Sequence, residues 1–194
     1  MKKMRLYLAP LLVGLLAGWV AGPLPGAAHE VESSRISVVL RDQNHVSITL
    51  YIAYLDALYR ALGPDISFSE FILAHASMNQ ADLGRDLSRA QALLEKELQL
   101  VLPKGQTVGF TNWKWPDPIK TQADMRQLVM AAMIPGGDHM HAAIAEVTAE
   151  AQTSVAITKV KLHLPAALLP SLLVFYRANQ IWVDRNAPLQ ELRF

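Results

Sequence analysis

The sequence predicts a mainly β protein, an antiparallel β-sandwich carrying one α-helical insertion at about residues 54–98. Three observations lead there. Short strand-like segments lie on both sides of the insertion, and turn residues separate them at fairly regular intervals. Between Tyr54 and Leu98 the spacing of apolar residues switches from a period of two to the i, i+3, i+4, i+7 pattern of a helix face.

Arg35 to Leu40 reads as the first strand, and Asp42-Gln43-Asn44 supplies a turn. The return strand places Val46, Ile48, Leu50 and Ile52 on one face, as a half-buried hairpin requires. Leu55, Leu58, Tyr59 and Leu62 then mark a helix that stops at Gly63-Pro64. Ser67 followed by Glu70 has the spacing of a capping box and opens a short helix through Phe71, Ile72 and Ala74. A longer helix from about Asp82 to Leu98 carries Leu83, Leu87, Ala90, Leu94 and Leu98 on one face. Arg85, Asp86, Arg89, Glu95 and Lys96 lie opposite, as a solvated surface.

Gln99 to Leu102, the turn at 103–106 and the return arm Thr107 to Trp115 form a second hairpin, ended by Pro116-Asp117-Pro118. A polar loop through Gln122 precedes Met125 to Ile134, an apolar run with little alternation that is expected as a strand. Pro135-Gly136-Gly137-Asp138 is a turn. His139 to Ala149 is expected to run back antiparallel, and Val155 to Leu164 to form another strand. Pro165 to Leu173 is a corner or short helix. Val174 to Tyr176, Ile181 to Val183 and Leu189 to Phe194 supply closing strands.

The first 28 residues form a separate unit. Lys2, Lys3 and Arg5 precede sixteen uncharged residues, Leu6 to Ala21, then Pro23 and Pro25, with Gly26 and Ala28 at the −3 and −1 positions of a cut. This is the order of a secretory signal peptide, cleaved between Ala28 and His29. The rival, an uncleaved anchor, needs about 20 apolar residues, and this run is shorter and broken by Pro10, Gly14 and Gly18. Residues 29–194 are expected as one domain, periplasmic or secreted. Removing the three leader cations leaves 15 basic against 17 acidic residues, a charge of −2 with His neutral. No basic patch points to nucleic acid, and no second apolar span follows. The absence of cysteine excludes disulfides, thiolate ligands, a cysteine nucleophile and lipidation.

All six histidines follow the leader: His29, His45, His75, His139, His141 and His163. Cleavage before His29 gives that residue an α-amino nitrogen beside its imidazole, two donors that can chelate one metal. Asp138-His139-Met140-His141 sets two imidazoles at i and i+2, with a thioether between them. Imidazole with thioether favours copper over hard cations. The expected metal set is therefore His29, His139, His141 and Met140, holding copper. The opposing reading is a solvated N-terminus and a polar hairpin turn with Met140 packed inward. His45, His75 and His163 are expected to be structural or solvent-facing.

Trp113 and Trp115 fall on one side of a strand, either as core or as an aromatic platform for a sugar, a peptide or a partner protein. No Gly-x-Ser-x-Gly elbow, His-Glu-x-x-His helix or phosphate-cradling loop occurs, so no catalysis is expected. The alternative to metal binding is a periplasmic interaction or assembly module without a metal, which requires a contiguous exposed apolar patch.

The stretches His29 to Leu40 and Val46 to Leu62, with Leu94 to Leu100 and Leu164 to Val183, resemble a group of uncharacterised bacterial exported proteins. In that group a His-led mature chain runs into a hairpin and then a helix. The resemblance implies an envelope β-sandwich and carries no established chemistry. The opening Ala28-His29-Glu30 is also similar to periplasmic parts of metal-transport accessory proteins.

Overall fold

Two neighbouring segments of alternating apolar and polar residues pair as the expected hairpin. Strands β1 (Ser34–Leu40) and β2 (His45–Ala53) run antiparallel, with Ile36 opposite Leu50 and Val38 opposite Ile48. The computed structural model describes residues 34–63, 65–133 and 143–178. His29, the 134–142 segment, Trp182 and the closing strands expected at 181–183 and 189–194 lie outside the described residues.

Three helices follow in the place expected for the insertion: α1 (Tyr54–Leu62), α2 (Phe68–Ser77) and α3 (Gln80–Glu97). Helix α1 ends where Gly63 takes a left-handed conformation, φ 56°, and its N–H donates to the Tyr59 carbonyl. Ser67 caps α2 through a reciprocal box: its Oγ accepts from the Glu70 N–H, and Glu70 Oε2 accepts from the Ser67 N–H at 2.8 Å. Asn79 caps α3, which buries Leu83, Leu87, Ala90 and Leu94.

The chain then returns to strands: β3 (Gln99–Val101), β4 (Thr107–Gly109) and β5 (Thr111–Lys114), followed by helix α4 (Pro118–Ala132). Strands β6 (Ile144–Gln152), β7 (Lys161–His163) and β8 (Ser171–Arg177) complete the described part, with one 3-10 turn at Ala166–Leu168. They build a five-stranded sheet in the order β5-β6-β2-β1-β8 and a three-stranded sheet in the order β4-β3-β7. One face of the larger sheet carries Ile36, Ile48, Leu50, Ile52, Val147 and Ala149, which share a single buried cluster with Leu58, Phe71, Leu83 and Leu94 of the helices. The opposite face carries Ser37, Thr49, Tyr51, Thr148 and Glu150, none of them fully buried. No described helix is long and apolar enough to cross a membrane.

Five expectations are corrected. The described residues are 41% helical and 33% strand, so the fold is mixed α/β rather than mainly β. The larger sheet is not purely antiparallel either, because β8 lies parallel to β1, with Ile36 opposite Leu173. A parallel pair needs a long crossover, and here the whole chain between β1 and β8 provides it.

The run Met125 to Ile134, expected as a strand, falls largely within α4. Asp117 caps this helix, its Oδ1 accepting from the N–H groups of Ile119 and Lys120 at 2.8 and 3.1 Å, and Pro118 sits in the first turn. Val155 to Leu164 gives only the three residues of β7, with Val155 exposed. The return arm Thr107 to Trp115 divides at the buried Phe110, so that β4 serves the small sheet and β5 the large one.

Candidate functional site

The four residues expected to hold copper, His29, His139, Met140 and His141, all lie outside the described residues. Among the described residues no group of three or more His, Asp or Glu side chains converges as a metal site. Two surfaces and one buried knot of polar groups stand out instead.

The first surface is a groove on the polar face of the larger sheet. Register places Ser47 of β2 beside Glu150 of β6, and Thr49 beside Thr148, and these four side chains make its floor. Arg41 and Trp113 line it as well, with Lys114. The Arg41 Nε donates to Ser47 Oγ at 2.9 Å.

The register of β5 against β6 shifts between Thr111 and Lys114, and Asn112 within that bulge has φ 54°. A bulge re-aims side chains at a sheet edge, and Asn is among the residues that tolerate the left-handed region. The Asn112 Nδ2 is thereby brought to donate to Glu150 Oε2 at 3.3 Å. The His45 Nε2 lies 3.8 Å from the same oxygen.

Both tryptophans do face one side. Their rings stack with centroids 5.1 Å apart and planes 8° from parallel, and Tyr54 continues the stack 5.9 Å from Trp115. Trp115 is anchored by donating to Glu95 Oε1 at 2.7 Å, and Trp113 by donating to the Phe110 carbonyl. Each indole packs partly against the core and remains partly accessible, so the pair belongs wholly to neither expected class.

The buried knot lies where α2, α3 and α4 meet. Gln122, only 1% exposed, uses its whole amide. Its Nε2 donates to the carbonyls of Met78 and His75, while Oε1 accepts from Gln80 Nε2 and Arg126 Nη2. These bonds close the C-terminal end of α2, where carbonyls would otherwise be orphaned. His75 is buried beside the Phe71 ring. Its Nδ1 donates to the Phe71 carbonyl at 2.8 Å, which leaves Nε2, without a hydrogen bond, 3.3 Å from Asp86 Oδ2. A proton on Nε2 would convert that contact into an ion pair. The polar face of α3 is therefore only partly a solvated surface: Asp86 and Glu95 are turned toward His75 and Trp115. Spacing does not single out Gln122, because a lone Gln in a polar stretch carries no motif.

The second surface is the edge strand β8. Leu172, Leu173, Val174, Phe175 and Tyr176 are 55, 41, 39, 77 and 54% exposed, five consecutive apolar residues. The strand is seated on β1 along its whole length, and the Ala178 N–H donates to the Leu40 carbonyl at its end. Among the described residues no strand pairs with its other edge.

No known family, no curated protein and no solved structure matches the chain.

Proposed function

We propose that the chain is an exported, non-enzymatic envelope protein that works by docking an extended, apolar segment of a partner protein against β8. One observation carries this reading: the uninterrupted exposed apolar run Leu172 to Tyr176 on a strand whose second edge is unpaired among the described residues. A contiguous exposed apolar patch on a well-seated element marks an interaction surface. An open edge supplies main-chain donors and acceptors to an added strand, and alternate side chains give specificity. Both faces of β8 are apolar, so the added strand must be apolar on both faces too. Arg177, the only charge on β8, calls for an acidic residue at that end. Export rests on the leader, with cleavage between Ala28 and His29 and release into the periplasm or beyond. The likeness to His-led exported envelope proteins belongs to the same reading.

The test is a photo-crosslinking amino acid at Phe175, expressed in cells, with the same probe at exposed Arg89 on α3 as control. The expected result is one discrete heterologous adduct from position 175 and none from position 89. A self-adduct would make the occupant a second copy and overturn the partner reading, as would no adduct at all.

A second reading has a sequence observation of its own, the His29 terminus with His139-Met140-His141. It makes the protein a copper binder through those four residues. Titration of the chain beginning at His29 with Cu(I) and Cu(II) against a competing chelator tests it. His29→Ala and the double variant His139→Ala/His141→Ala should each weaken binding by at least about tenfold, the loss typical of removing even a group that only supports a ligand. Unchanged affinity ends this reading.

A further inference from the structure

We infer that the groove between Arg41 and Trp113 is a binding site for an acidic sugar ring, a hexuronate, held by its carboxylate and its hydroxyls. The site is distinct from the β8 edge and depends on neither reading above. Its volume is about 600 Å³, within the roughly 300–1,000 Å³ of small-molecule sites.

The floor is a two-by-two array, Ser47 beside Glu150 and Thr49 beside Thr148. Adjacent strands lie about 4.8 Å apart and alternate residues about 7 Å apart, so the array has the span of one pyranose ring. Three hydroxyls that donate or accept and one carboxylate that only accepts match the hydroxyls of a polyol. Glu150 is held in place for that task by Asn112, from the left-handed backbone of the β5 bulge.

The charges select the acid. Arg41 and Lys114 are exposed, and among the described residues neither forms an ion pair. Arg41 bonds Ser47 through Nε, which leaves its two Nη groups to grip a carboxylate in the bidentate manner guanidinium favours. Two cations against the single carboxylate of Glu150 leave the lining net positive with His neutral. A neutral sugar satisfies the floor and leaves those cations unpaired. Inorganic phosphate satisfies the cations and can accept from the hydroxyls, but offers Glu150, which only accepts, no matching set of donors. Trp113 borders the groove, and its indole stacks on Trp115, which lies against Tyr54 on the core side of the sheet.

The test is calorimetric titration of the chain beginning at His29 with glucuronate, galacturonate, glucose, inorganic phosphate and a tri-aspartate peptide. A hexuronate is expected to bind at least about tenfold tighter than glucose or phosphate, a difference of about 1.4 kcal/mol. Arg41→Gln and Lys114→Gln, both at exposed positions, should each remove most of that preference, bringing hexuronate affinity down toward that of glucose. Thr49→Val, which keeps the β-branched shape, should weaken all sugars alike. Tighter binding of a galacturonate trimer than of the monomer assigns the site to a glycan chain, and equal binding assigns it to the free sugar. The proposal is overturned if no hexuronate binds, if glucose, phosphate or tri-aspartate binds as well, or if both cation variants behave as the parent.

Discussion

Tyr54 is pulled two ways. Its ring lies in the core against Trp115, and burial pushes its phenol up to about 12 from 10.0, only partly offset by the hydrogen bond from Gln91 Nε2 at 2.8 Å. An acid whose folded pKa is raised is held more firmly in its protonated form. Its contribution is therefore complete below about pH 10, the unfolded value, and is lost as pH rises from there through the folded value near 12. Two units amount to on the order of 3 kcal/mol. Denaturant midpoints measured from pH 9 to 12 should fall more steeply in the parent than in Tyr54→Phe, and parallel curves would contradict this. The identity of such residues was only half visible beforehand. Tyr54 stands at a change of period, from strand to helix, and could be placed at that junction. Its stacking partner Trp115, just past the end of β5, is about sixty residues away, and local pattern carries no information about it. Gln122 is a harder case still: an amide bound to four groups on α2, α3 and α4 looks, in sequence, like any solvent-facing Gln.

Among the elements, those with chemical punctuation were legible. The hairpin β1–β2 follows from strict alternation about a turn, and the capping box at Ser67 and Glu70 opens α2 where its spacing predicts. Helix α4 shows why others were not. Met125 to Ile134 is apolar almost throughout, and such a run fits a buried strand as well as a helix. The decisive signal lies upstream, in Asp117 followed by Pro118, a cap and a first-turn proline that read equally well as the end of a strand. The stripe Thr121, Gln122, Met125 also has helical spacing, but two of its three members are polar, which hid it. The groove was out of reach for a different reason. Its floor depends on the register of β2 against β6, which are about a hundred residues apart, and on a bulge in β5.

Among the described residues, the larger sheet has two unlike faces, and no strand pairs with the outer edge of β8. Helices bury the first face, and hydroxyls and charges line the second. The sandwich expected from regular strand spacing overlooked that a helical layer can cover a sheet as well as a second sheet can. The sequence predicts only Val174 to Tyr176 of β8 as a strand, with Leu173 and the residues before it in a corner or short helix, whereas the strand begins at Ser171; its apolar composition reads equally well as core or as contact surface. Among the described residues β8 pairs only with β1, and on such an edge an apolar composition can serve recognition. In a parallel ladder alternate residues direct their N–H groups to one neighbour and the rest away from it. The most direct measurement is therefore residue-resolved amide hydrogen exchange on the isolated chain beginning at His29. Across Leu172 to Tyr176 every second amide should exchange as a solvent-exposed group, while its neighbours in the β1 ladder and the amides of β2 stay protected. Protection of all five amides in the isolated chain would mean that the edge is already covered, and would contradict the docking account.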